Sequence, residues 1–313
     1  MHFFLLAFGL FFLWLGAELI VKGSQNISEH FKISSVFLGL TIVSLGTSLP
    51  EIAVSVSGAF DRLAGIETSD LVMGNIIGSA LNQITILVGI IGLVSILYVE
   101  KKQLYRDGIM LLFAILLVII LTIDFKVTFI DSIILIIFYG IFLFTLFKEE
   151  KVREKFKLFP PKMHLVYDVG RLLLGIVILY FAAGLVLDNG KTVAEMYGIA
   201  ESTVGIIIIG LGTGIPELVV SLTALRKKAI GLSLGNLLGS NITDLLFSLG
   251  AGTLISQLDV KKSLLVFDLP VLFVVTIVTL LFFRTKEKLE RKEALVLLGI
   301  FAVYVTLKFG FKL

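Results

Sequence analysis

Residues 36–60 read VFLGLTIVSLGTSLPEIAVSVSGAF, and Pro50 and Glu51 stand in the middle of a run otherwise apolar enough to cross a bilayer. Proline breaks a helix and a carboxylate is costly in hydrocarbon, so both residues need a reason to be there. The rest of the chain establishes that the setting is a membrane. Of 313 residues, 57% are hydrophobic and 16% charged, with a mean hydropathy of +1.04, which is more apolar surface than one soluble core hides. Ten runs are long enough for a span of about 20 residues, near 2–21, 33–60, 70–98, 105–123, 128–147, 165–187, 201–225, 230–256, 264–284 and 293–311. They are continuously apolar, as in DSIILIIFYGIFLFTLF at 131–147, where a barrel strand would alternate. The expected fold class is an all-α polytopic membrane protein. The N-terminal run lacks an A-x-A-like cleavage site and continues into GAELIVKGS, so it reads as the first span. With no cysteine, the chain says nothing about redox compartment.

Ten spans place both termini on one side. Loops after spans 1, 3, 5, 7 and 9 hold most of the 27 basic residues, including KEEKVREKFKLFPPK at 148–162 and Arg226, Lys227 and Lys228. These loops are expected on the cytoplasmic side of the cell membrane, with the termini outside. The basic run is short, mixed in sign and flanked by spans, so it reads as a solvated linker and not a nucleic-acid patch. The partners expected are the lipid bilayer and small ions, with no protein or nucleic acid implied.

The linker also divides the chain into similar halves. The stretch from Trp14 to Glu51 aligns without a gap with Tyr180 to Glu217, setting GTSLPE against GTGIPE. Downstream, GNIIGSALNQ from Gly74 matches GNLLGSNITD from Gly235. The expected organisation is a five-helix repeat at 1–147, a cytoplasmic linker at 148–164 and a second five-helix repeat at 165–313. An odd number of spans threads the second half in the opposite direction, the inverted-repeat plan of many secondary transporters.

The repeat gives Pro50 and Glu51 a purpose. Pro50 and Pro216 should break helices 2 and 7 near residues 46–49 and 212–215. Backbone groups freed inside a membrane must find new partners, and a cation supplies one. Oxygens of the unwound turns, the hydroxyls of Thr47, Ser48 and Thr213 and the carboxylates of Glu51 and Glu217 make a hard cage suited to Ca²⁺, which takes about 6–8 oxygen ligands. Asn75, Ser79 and Gln83 are four apart on one helical face, as are Asn236, Ser240 and Asp244, so each set can face that cage. A lone proline would read as a kink and a lone G-x-x-x-G as close packing, and Gly74, Gly78, Gly235 and Gly239 are also expected to let helices 3 and 8 approach the broken ones. Packing alone does not ask for two matched intramembrane acids. Glu18 in the first span aligns with Gly184 in the repeat, so symmetry gives it no ligand role; a helix-end partner and a gating contact both fit.

GTSLPE with GNIIGS, repeated as GTGIPE with GNLLGS, resembles the α-repeats of the calcium/cation antiporter superfamily, the Na⁺/Ca²⁺ and H⁺/Ca²⁺ exchangers. The resemblance covers nearly the whole chain. It implies ten helices, outward-facing termini, a central site on helices 2, 3, 7 and 8, and helices 1 and 6 sliding as a gating pair. It also implies Glu51 and Glu217 as principal Ca²⁺ ligands, aided by backbone oxygens of Thr47 and Thr213, and Ser48, Ser79, Ser240 and Asp244 as counter-ion positions. Two positions depart from the pattern: Gly214 replaces the serine that matches Ser48, and Gln83 replaces an asparagine.

Charge suggests the mechanism. Two facing carboxylates in a low-dielectric site are neutralised either by Ca²⁺ or by two protons, and the empty ionised pair should not reorient. One cargo must therefore replace the other before the gate moves. A missing hydroxyl removes an oxygen that Na⁺ would use, so the expectation is H⁺/Ca²⁺ antiport, with Na⁺/Ca²⁺ exchange as the alternative. A cation channel would use similar oxygens without counter-ion demand. An intramembrane hydrolase could use Glu51 and Glu217 as acid and base. No enzyme is expected, because the chain lacks a nucleophile–base pair and His2, His30 and His164 all lie at span ends.

Overall fold

A computed structural model describes residues 1–152, 155, 163–196, 212 and 214–310. The helices are α1 (His2–Phe31), α2 (Ser35–Thr47), α3 (Leu49–Leu63), α4 (Ser69–Val94), α5 (Lys101–Leu121), α6 (Phe129–Glu149), α7 (Met163–Met196), α8 (Ile215–Arg226), α9 (230–253), α10 (Leu264–Lys286) and α11 (Arg291–Gly310). Among the described residues six helices are long and apolar enough to cross a membrane, and the α2–α3 pair, bent by 44° at its break, makes a seventh candidate.

Local chemistry sets the ends. Helix α1 runs ten residues beyond the expected span because buried Gly23, Ser24, Ile27 and Phe31 keep one face packed after hydropathy falls. It stops where Lys32 takes a left-handed conformation (φ 54°) and its N–H bonds to the Ser28 carbonyl. The Ser34 side chain then caps α2 by accepting from the Phe37 N–H at 3.2 Å. The break expected in helix 2 falls at Ser48, between α2 and α3. The matching break in helix 7 is described only on its downstream side, where Gly214 caps α8 and Pro216 sits in the first turn, a position that needs no N–H. Residues 197–211 and Thr213 lie outside the described residues, as does most of the 148–164 linker.

Among the described residues four helices loosen into a π turn: α2 at Gly39–Val43, α4 at Gln83–Leu87, α9 at Thr243–Ser248 and α10 at Leu264–Asp268. The chain is also not purely helical. Strands β1 (Leu97–Tyr98) and β4 (Lys288–Leu289) pair antiparallel, as do β2 (Lys126–Val127) and β3 (Leu258–Asp259). Short extended loop ends satisfy one another's backbone groups there.

The chain forms two compact units, and each draws on both halves of the sequence. The first comprises Met1–Leu49 and Phe144–Asn236, the second Pro50–Leu143 and the chain from Leu237 onward. In the first, α1 packs along α7 through facing glycines. A Cβ on Gly16 would lie 3.0 Å from the Gly175 carbonyl oxygen, and one on Gly175 would lie 2.8 Å from that of Gly16. Asn26 donates to Asp168 at 2.7 Å and His2 pairs with Asn189 at 2.9 Å along the same seam. Glu18 of α1 forms an ion pair of 2.5 Å with Lys227, just past the end of α8. Helix α2 approaches α9 closely enough that a Cβ on Gly235 would sit 2.4 Å from the Val36 carbonyl oxygen. Gly74 and Gly78 behave differently, since no described residue lies within 4 Å of a Cβ built on either.

In the second unit, the rim of α3 is fastened by Arg62, whose guanidinium binds the Glu67 carboxylate at 2.5 and 2.6 Å and also reaches Ser69 and Asp259. Deeper, Asp268 is 1% exposed at the end of the α10 π turn. It accepts from the Tyr304 hydroxyl at 2.6 Å and from Lys308 Nζ at 2.7 Å, clasping α10 to α11.

Two outcomes follow for stability in detergent. Lys308→Met strands a buried carboxylate and should destabilise by about 3 kcal/mol, whereas the double change Asp268→Asn with Lys308→Met should recover most of that loss. Thermal unfolding of the two variants checks this. Gly235→Ala forces the Val36 backbone away and should cost about 2 kcal/mol by the same measurement.

Candidate cation-binding site

The first unit gathers polar atoms around α2, α8 and the start of α9. The Thr47 hydroxyl lies 3.2 Å from the Ser44 carbonyl and 3.1 Å from Asn236 Oδ1. Asn236 in turn donates through Nδ2 to the Glu217 carbonyl at 3.3 Å and to Ser221 Oγ at 3.1 Å. Thr47, Ser48, Glu217, Ser221 and Asn236 are all fully buried. The Ser48 hydroxyl meets no hydrogen-bond partner among the described residues. It stands at the break itself, where Pro50 has no N–H to give the Gly46 carbonyl.

The second unit builds its polar cluster from α3, α4 and α9. Ser79 donates to Glu51 Oε1 at 3.0 Å. Gln83 Nε2 donates to Ser79 Oγ at 3.1 Å and to Asp244 Oδ2 at 2.9 Å, while Ser248 reaches Asp244 Oδ1 at 3.4 Å. Every member of this chain is at most 1% exposed. Gln83 and Asp244, which stand at matched places four residues past the two G-N-x-x-G-S motifs, thus bond directly to each other. Each also sits in a π turn, a distortion that widens the helix and turns side chains that a regular helix would aim elsewhere. Asn75 lies on the same helix as Ser79 and Gln83, and its buried Nδ2 has no partner among the described residues. Ser240 is fully buried in α9, one turn before Asp244.

The structure therefore places Thr47, Ser48, Glu217 and Asn236 in the first unit and Glu51, Ser79, Gln83 and Asp244 in the second, all of them buried. Among the described residues no three His, Asp or Glu side chains converge as a metal group. The side chains bonded in these two clusters carry hydroxyl, carboxamide and carboxylate oxygens, hard donors suited to Na⁺ or Ca²⁺ and ill suited to soft metals.

Sequence reasoning missed two other intramembrane acids. Asp107 and Asp268 are each 1% exposed. They follow β1 and β3 at equal distance in the matched stretches LYVEKKQLYRD and LDVKKSLLVFD. Asp107 is held by Arg106 Nε at 2.6 Å. The signal was an extension of the repeat past the glycine motifs, obscured because only leucine, valine, lysine and aspartate recur.

Comparison with known proteins agrees with the motifs. The family described as sodium/calcium exchanger protein matches residues 1–148 and 167–310. The sodium/calcium exchanger MaX1 of Methanosarcina acetivorans is 27% identical, with 98% of both chains covered. The putative antiporter CaxA of Alkalimonas amylolytica is 30% identical over 96% of this chain and 97% of its own. Among solved structures, the sodium-calcium exchanger NCX_Mj soaked with Na⁺ and Sr²⁺ superposes with a TM-score of 0.81 at 26% identity, covering 97% of this chain and 98% of that one. Family match, full-length relatives and shared architecture lead to one conclusion: this chain belongs to the sodium/calcium exchanger protein family.

Proposed function

We propose that the protein is a secondary transporter that exchanges Ca²⁺ for a monovalent cation across the cell membrane by alternating access. The observation that carries this reading is the pair of fully buried glutamates, Glu51 and Glu217, each one residue after a proline and each among hard oxygen donors. Neither acid has a packing reason to be buried, and a transported cation gives both one.

In this reading Glu51 and Glu217 share one Ca²⁺, with oxygens of Thr47 and Thr213 completing its shell. Ser48, Asn75, Ser79, Gln83, Asn236, Ser240 and Asp244 form the surrounding polar wall. The relatives' names support exchange over channel conduction or hydrolysis. The strand pairings support two inverted five-helix repeats: exchanging the halves turns the β1–β4 pair into β3–β2, which is also a pair in the structure. Ten helices, both termini outside and the 148–164 loop in the cytoplasm complete the topology that the basic-residue asymmetry favours.

The preferred counter-ion is H⁺. Gly214 offers no hydroxyl at the repeat position that matches Ser48, and protonating two carboxylates requires no further ligands. Na⁺ coupling is the second reading, favoured by the name of the relative MaX1. A proton gradient should therefore drive more Ca²⁺ uptake into proteoliposomes than a Na⁺ gradient, each imposed alone. Equal or greater flux with Na⁺ at clamped pH would reverse the preference.

Glu51→Gln and Glu217→Gln should each abolish Ca²⁺ exchange while leaving a folded, monodisperse protein. Either change keeps the size of the side chain and removes one of the two charges facing the ion. Losing about 4 kcal/mol of that interaction weakens binding roughly a thousandfold. Substantial Ca²⁺ exchange by either folded variant would show that these carboxylates are not the exchange site.

A further inference from the structure

Glutamine at position 83 places a carboxamide one methylene longer than asparagine on the first residue of the α4 π turn. Its nitrogen has two hydrogens, and both are used. One points to Asp244 Oδ2 at 2.9 Å and the other to Ser79 Oγ at 3.1 Å. The Ser79 hydroxyl is thereby oriented, accepting from Gln83 and donating to Glu51 Oε1 at 3.0 Å. Gln83 Oε1, on the other side of the same group, meets no hydrogen-bond partner among the described residues although it is buried. A carboxamide that leaves its oxygen orphaned to direct its nitrogen at a carboxylate and a hydroxyl is held by the acceptors it faces.

The Gln83 nitrogen thus sits between a charged oxygen, Asp244 Oδ2, and a neutral one, Ser79 Oγ, the pair of donors a small monovalent cation would take. We propose that the Gln83 nitrogen permanently holds the place of such a cation, so that Asp244 and Ser79 are satisfied by the protein and bind no counter-ion. Its N–H groups supply the positive ends that the two oxygens need, and because the amide is covalently attached it cannot be exchanged with either solution. The exchangeable charge is then confined to the Glu51 and Glu217 carboxylates. The inference rests on the Ca²⁺-exchange reading above for its consequence, a smaller Na⁺ requirement, but its core claim concerns ion occupancy and is measurable without transport.

Shortening the side chain should open the place. In Gln83→Asn the amide reaches one acceptor and not both, leaving Asp244 and Ser79 to take an ion. Equilibrium binding of radiolabelled Na⁺ to purified protein at fixed pH should show about one additional Na⁺ per chain in this variant, and Na⁺ inhibition of Ca²⁺ binding should steepen. Adding Asp244→Asn to Gln83→Asn should remove the gained ion. Asp244→Asn alone, in the otherwise unchanged chain, should leave the Na⁺ count as it was, a test that stands even where Gln83→Asn fails to fold. A fall in bound Na⁺ on Asp244→Asn alone would show that Asp244 already holds an ion and would overturn the proposal. So would an unchanged Na⁺ count in folded Gln83→Asn. Failure of the exchange reading looks different: the unchanged protein would move no radiolabelled Ca²⁺ under either gradient, whatever its Na⁺ count.

Discussion

A backbone carbonyl in hydrocarbon must have a partner, and much of this structure answers that requirement. Pro50 denies one to Gly46, Ser48 interrupts the helix, and the turn is left amid buried side chains and not lipid. Once a helix is opened inside a membrane, its neighbours must be polar, and polar neighbours must be bonded to one another. Asn236 does this in the first unit by spanning Thr47, the Glu217 backbone and Ser221. In the second unit a relay from Glu51 through Ser79 and Gln83 to Asp244 does the same. Both networks lie on helices that glycine lets come close, as where α9 meets the backbone of α2 at Gly235.

Much of this was legible in the sequence because it depends on residue identity. Proline breaks a helix whatever its surroundings, and a glutamate beside it in an apolar run has few explanations, so the break at Ser48 and the burial of Glu51 and Glu217 could be read from two hexapeptides. Spacing by four correctly grouped Ser79 with Gln83 on one face. What depends on three-dimensional partners was not legible. The bond from Gln83 to Asp244 joins residues 161 apart, and no local pattern announces the π turns that aim them. The reach of α1 to Phe31 was hidden by polar residues that hydropathy excludes but one buried face retains. The packing role expected of Gly74 and Gly78 has no counterpart among the described residues, because a glycine's usefulness is decided by what faces it. Asp107 and Asp268 escaped notice for another reason: the repeat is faint in their stretches, where only leucine, valine, lysine and aspartate recur.

The contrast between these acids and the central glutamates separates two uses of charge in one membrane protein. Asp268 is matched by Lys308 and Tyr304, and Asp107 by Arg106, in contacts of 2.6–2.7 Å that no solute needs to enter. Charge neutralised inside the protein fastens helices. Glu51, by contrast, meets a hydroxyl at Ser79, which orients the carboxylate without cancelling its charge.

The small ribbons bear on the order in which the chain can be assembled. Strand β1 finds its partner only when β4 has been made, and β2 waits for β3, so loops from the first half remain unpaired while most of the second is synthesised. Pairings between parts so distant in sequence close late and slowly. Helix α4 is made long before β4, which follows α10 and pairs with the strand just past the end of α4. A chain truncated before α11 would lack the Tyr304 and Lys308 groups that close the second unit around Asp268.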